Sequence, residues 1–103
     1  MITELVLFKL PEGMTREQVL ASFKASAPMW REPPELVRKY YLYDGAQGGG
    51  VYLWKSRAAA EEWHGAAFRE RIRARFGSEP SFVYFDSPVI VDNLAGEIVA
   101  DAA

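Results

Sequence analysis

The sequence predicts an α+β protein in which a four-stranded antiparallel sheet carries two helices on one face. Four short segments rich in branched and aromatic residues read as strands, and two longer segments repeat apolar residues at helical spacing. They alternate in the order βαββαβ, and at 103 residues they make one domain.

Thr3 to Lys9 (TELVLFK) is the first strand, and Pro11-Glu12-Gly13 stops it. Thr15 caps a helix, and Gln18 three residues later completes a capping box. Val19, Leu20, Phe23 and Ala27 follow at helical spacing, and Pro28 with Pro33-Pro34 ends that helix near Ala27. Leu36 to Asp44 is the second strand. Gly45 and Gly48-Gly49-Gly50 read as a hairpin connection, and Val51 to Lys55 as the third strand. Ser56 caps a second helix from Arg57 to Phe76, which Gly77 ends. Ser81 to Asp86 is the fourth strand. Val89 to Val91 resumes as a short extension, and Leu94 to Ala103 reads as a loose or arm-like tail outside a domain of residues 1–93. Right-handed crossovers of both β–α–β units give the ferredoxin-like arrangement, with sheet order 4-1-3-2.

Composition narrows the partners. Twelve basic residues against fourteen acidic ones leave a net charge of -2, which argues against a nucleic-acid or anionic-membrane binder. The chain lacks cysteine and holds one histidine, so thiolate chemistry and a multi-histidine metal site are excluded. No apolar run reaches membrane-spanning length, and the opening Met-Ile-Thr-Glu lacks a secretory pattern, so a cytoplasmic location is expected. The strands do not alternate apolar with polar. Leu5 and Leu7 oppose Val6 and Phe8, Val51 and Leu53 oppose Tyr52 and Trp54, and Val83 and Phe85 oppose Phe82 and Tyr84. Two helices cover one face only, so the sequence predicts a two-fold homodimer that buries the other, sheet against sheet.

A family resemblance follows from particular residues. They are Glu32-Pro33 with Leu36 and Lys39, then Gly49-Gly50-Val51-Tyr52-Leu53, Ser56 and Ala60, Gly77, and Val83-Tyr84-Phe85-Asp86. Over roughly residues 30 to 93 the chain resembles the dimeric α+β barrel superfamily, and within it the small YdhR-like, monooxygenase-like branch. That superfamily includes cofactor-independent antibiotic-biosynthesis monooxygenases and haem-degrading enzymes. Trp54-Lys55-Ser56 and Trp63 also resemble the haem-degrading branch. The stretch matching that branch's haem ligand, Ile72 to Arg75, has no histidine, and His64 lies more than two helical turns too early. The resemblance implies a dimeric barrel and oxygenation of a small aromatic or enolisable hydrophobic substrate with no cofactor.

Candidate residues are weighed against plainer roles. His64 shares a helix face with Phe68, Ile72 and Phe76, where it is a general base at a pocket or a half-buried histidine satisfied by the backbone. Trp63, Trp54, Trp30, Tyr41, Tyr43, Tyr52 and Tyr84 form an aromatic wall for a flat ligand, or core and dimer interface. Arg69, Arg71, Arg73 and Arg75 complement a helix C-terminus and read as solvated surface. The glycines are not at a strand-to-helix junction, so a phosphate-binding loop is rejected. Within the implied reaction His64 is the base and Lys39 the cation that stabilises an enolate. Trp63 and Tyr41 position the substrate, with Trp54, Phe68, Tyr84 and Trp30 around it. The alternative is a non-enzymatic small-molecule-binding or stress-related dimeric protein of the same fold.

Overall fold

The computed structural model of the chain describes residues 1–100. β1 (Ile2–Lys9) leads to α1 (Arg16–Ser26) and a 3-10 turn (Ala27–Arg31). β2 (Leu36–Tyr43), β3 (Gln47–Trp54), α2 (Arg57–Trp63), α3 (Ala66–Phe76) and β4 (Ser81–Asp86) follow, and then β5 (Val89–Asp92) and β6 (Glu97–Ala100). The main sheet runs β2-β3-β1-β4 with every neighbouring pair antiparallel, so the expected α+β, ferredoxin-like order stands. No helix among the described residues is long and apolar enough to cross a membrane.

The expected capping box is formed. The Gln18 amide donates to Thr15 Oγ1 at 3.2 Å, and the Thr15 amide donates to Gln18 Oε1 at 2.9 Å. Ser56 Oγ likewise accepts from the Ala59 amide at 3.2 Å and starts α2.

The second helical region is not one helix from Arg57 to Phe76. It breaks at His64, whose φ of -109° and ψ of 34° leave the helix, and Gly65 begins α3. The reason is geometric. Ala60, His64, Phe68, Ile72 and Phe76 are spaced by four, and each step turns about 40° past a full helical turn. A straight helix would swing this stripe off the sheet before Phe76. The break resets the phase, and all five side chains are buried.

Two further expectations are corrected. Gly48, Gly49 and Gly50 are not a connection but part of β3, opposite Phe8, Leu7 and Val6. The true turn is Asp44–Ala46, where Asp44 Oδ1 accepts from the amides of Ala46 (2.9 Å) and Gln47 (2.6 Å). Leu94 to residue 100 is likewise no loose tail: β6 pairs with β5 as a hairpin arm. Residues 101–103 of the expected tail lie outside the described residues.

Cross-strand partners share a face of the sheet, which sorts the side chains. Glu4, Val6 and Phe8 of β1 face the helices with Tyr52 and Trp54 of β3 and Phe82 and Tyr84 of β4. A bulge in β2 between Leu36 and Arg38 shifts its register, so Lys39 pairs with Tyr52 and joins this face. The outer face carries Leu5, Leu7, Val51 and Leu53, half-buried, and Tyr40, Val83 and Phe85, exposed.

Candidate functional site

The helix face of the sheet is incompletely filled. A cavity of about 540 Å³ lies between β1–β3 and the layer formed by α1, the 3-10 turn and α3. Phe23, Met29, Trp30, Tyr41, Tyr52, Phe68, Ile72 and Phe76 supply most of the wall, and Val6 and Phe8 line it from β1. Small residues keep it open. A methyl group on Gly50 would come within 3.1 Å of Lys39 Cε and 3.0 Å of the Tyr52 ring, so glycine there leaves room for the lysine stem.

Lys39 is the charged group from the sheet in this cavity. Its Nζ lies 3.7 Å from the centre of the Tyr41 ring, 4.4 Å from that of Trp30 and 4.6 Å from that of Tyr52. Among the described residues no carboxylate is within ion-pair distance of it. Burial penalises the charged amine and pushes its pKa down to about 7, with the Glu4 charge acting in the opposite direction. The ring faces also attract a cation and work with Glu4. Beside the lysine, the Tyr41 hydroxyl is hydrogen-bonded to Ser26 Oγ at 2.7 Å. Burial raises the Tyr41 pKa, and the Ser26 bond partly offsets that.

Arg71 and Arg75 of α3 also line the cavity, and Arg75 Nη1 donates to Ser22 Oγ at 3.0 Å. All four arginines of the cluster are exposed, as expected: Arg73 pairs with Glu70 and Glu79, and Arg71 and Arg75 reach the rim of the cavity from the surface. The wall thus holds three cationic side chains and no acidic one, a setting that favours a ligand oxygen bearing negative charge.

A second polar cluster lies apart from the cavity wall. Glu4 is fully buried on β1, and His64 is 3% exposed at the helix break. His64 Nδ1 approaches Glu4 Oε1 to 2.8 Å, but off the direction of a hydrogen bond, and Trp54 Nε1 donates to the same oxygen at 2.9 Å. Glu4 Oε2 and His64 Nε2 have no protein partner. The imidazole is boxed by rings, with centroids 4.5 Å away for Phe68, 4.6 Å for Tyr52 and 5.1 Å for Trp30. These same three rings line the cavity, so His64 sits behind the wall and not in it.

Five of the sequence candidates therefore meet at the cavity: Lys39, Trp30, Tyr41, Tyr52 and Phe68. His64, Trp63, Trp54, Tyr43 and Tyr84 do not line it. The Trp54 indole is spent on Glu4, and the Trp63 ring lies tilted against Trp30 with centroids 6.4 Å apart. Tyr84 lies under the Arg57 guanidinium at 4.4 Å, and burial pushes its pKa up to about 12, with Glu4 acting in the same direction. Sequence reasoning missed Glu4, although its two-residue spacing from Val6 and Phe8 already placed a carboxylate on the apolar face. The described residues hold no group of three or more His, Asp or Glu side chains able to bind a metal.

No protein-family model and no curated protein matches the chain. Among solved structures it is similar to the NE2512 protein of unknown function from Nitrosomonas europaea. The TM-score is 0.70 at 18% identity, over 88% of this chain and 92% of that one. That likeness supports the fold.

Proposed function

We propose that the cavity binds a small aromatic or enolisable hydrophobic molecule, with its acidic oxygen at Lys39, and that the protein oxygenates it without a cofactor. The observation that carries the reading is an amine enclosed by three aromatic rings in an apolar cavity without a carboxylate. A lysine that loses its proton near neutrality serves as a base toward an acidic C–H or phenol. The protonated amine, with Arg71 and Arg75, then stabilises the enolate oxygen. The enolate carbon reduces dioxygen. For a methylene group beside a carbonyl, four electrons pass from carbon to O2, one oxygen atom becomes a new carbonyl and the other leaves as water. His64, behind the wall, has no direct part in this scheme, and the base is Lys39.

The caged amine also favours a second reading. Three ring faces hold an ammonium well, and an ammonium is the counter-charge for a bound phenolate that is carried and never oxidised. Two measurements separate the readings. 1-Naphthol should quench tryptophan fluorescence saturably through Trp30. Anthrone should drive oxygen uptake that falls about 100-fold or more in Lys39→Met, the scale of a lost general base. An Arg73→Ala control should stay unchanged. Naphthol binding without oxygen uptake leaves the carrier, and no binding of either probe sinks both.

We also propose that two chains pack through the outer faces of their sheets. Val83 and Phe85 on β4 are 42% and 56% exposed, beside half-buried Leu5, Leu7, Val51 and Leu53. A continuous apolar layer of this kind is characteristic of an interface.

A further inference from the structure

We propose that Lys39 is a nucleophilic amine that condenses reversibly with an aromatic aldehyde or ketone held in the cavity. The inference rests on the binding reading above but not on its oxygen chemistry.

Three features of the site point to it. The amine lies on the wall of an apolar cavity whose open side admits a carbonyl compound to it. Trp30, Tyr41 and Tyr52 surround Nζ at 3.7 to 4.6 Å, so a flat ring stacked among them brings an attached carbonyl carbon to the nitrogen. No carboxylate among the described residues pairs with the amine and holds it as a salt bridge. The lowered pKa agrees with this placement, since it leaves a large neutral fraction at pH 7. Lys9, Lys24 and Lys55 are all exposed and lack such a setting.

The chemistry balances within the amine and the carbonyl compound. The nitrogen lone pair attacks the carbonyl carbon, and a carbon–nitrogen bond forms to give a carbinolamine. The carbinolamine loses its hydroxyl group with a proton, one water leaves, and an imine remains. No oxidant or reductant takes part. The Tyr41 hydroxyl, joined to Ser26, is the nearby group suited to pass the proton.

The test uses the wild-type chain at pH 7 with 2-naphthaldehyde and cyanoborohydride, which reduces the imine to a stable secondary amine. Peptide mapping by mass spectrometry should place the adduct on Lys39 with at least ~tenfold preference over the exposed Lys9, Lys24 and Lys55, which no aromatic cavity surrounds. 1-Naphthol, which lacks a carbonyl group, should slow labelling at Lys39 and not elsewhere. Labelling spread over the lysines with a smaller preference, or no protection by naphthol, overturns the proposal. Lys39→Arg keeps the charge and removes the nucleophile, so it should lose this adduct. Should that variant misfold, the wild-type map still decides. Naphthol binding without a Lys39 adduct removes this inference alone, and an adduct without oxygen uptake removes the oxygenase reading alone.

Discussion

Lys39 and Glu4 are charged side chains that the fold turns toward the helices, and each has a separate energetic consequence. Lys39 loses its proton near pH 7 in the folded chain and near its ordinary value of 10.5 in the unfolded one. Between those values the unfolded chain holds more protons, so raising the pH favours folding. Lys39→Met should therefore be more stable than the wild type at pH 6.5, and the gap should shrink steadily toward pH 10. Urea midpoints of the two proteins across that range check it, and a gap independent of pH would refute the burial of the amine. Glu4 instead accepts from the Trp54 indole and lies against His64. Glu4→Ala strands both partners in the core and should cost about 3–5 kcal/mol in urea unfolding. Replacing the pair together, Glu4→Leu with His64→Phe, should cost much less than the sum of the single changes.

Among the elements, β3 is the most constrained. It lies between β2 and β1, and its glycines are there for space. A Cβ on Gly49 would lie 1.9 Å from the Val6 carbonyl oxygen, a backbone atom of the central strand that cannot step aside. Gly49→Ala should therefore destabilise the fold by ~3 kcal/mol or more, read from the thermal midpoint by circular dichroism. Gly50→Ala is gentler, because its methyl would stay 3.0 to 3.2 Å from its nearest neighbours, the Tyr52 ring, the Lys39 stem and the Tyr40 carbonyl oxygen. The α2–α3 break works in the same way. By leaving the helix at His64, the chain keeps Ala60 and Phe76 on one sheet although they are sixteen residues apart.

Beyond single elements, the proposed pairing of two chains rests on the outer face of the sheet. The hairpin of β5 and β6 is tied to it by Arg38 and Asp92 at 3.7 Å, and a cleft between them is lined by Tyr40, Val51, Leu53, Val89 and Val91. The β4 side stays bare. Multi-angle light scattering at micromolar concentration should give twice the chain mass. Val83→Glu with Phe85→Glu should give the single-chain mass, because two charges on each buried face make the interface untenable. A wild-type monomer at that concentration would dispose of the paired sheets.

The order of elements, the capping of the first helix and the sheet order were legible in the chain, because they rest on local signals. Proline, glycine and capping residues mark ends, periodicity marks type, and the handedness of crossovers does the rest. Lys39, Trp30, Tyr41 and Phe68 were legible as candidates because their residue types suit a pocket. Their meeting was not, since it depends on the β2 bulge that turns Lys39 inward and on glycines that leave room for its stem. Gly48–Gly50 join a strand because they are paired on both sides, with Tyr41 to Tyr43 of the neighbouring strand and with the distant Val6 to Phe8 of β1. His64 fell behind the wall because the helix phase had to reset at that point. Long-range pairing and packing settle such matters, and a strand or helix segment in isolation carries no trace of them.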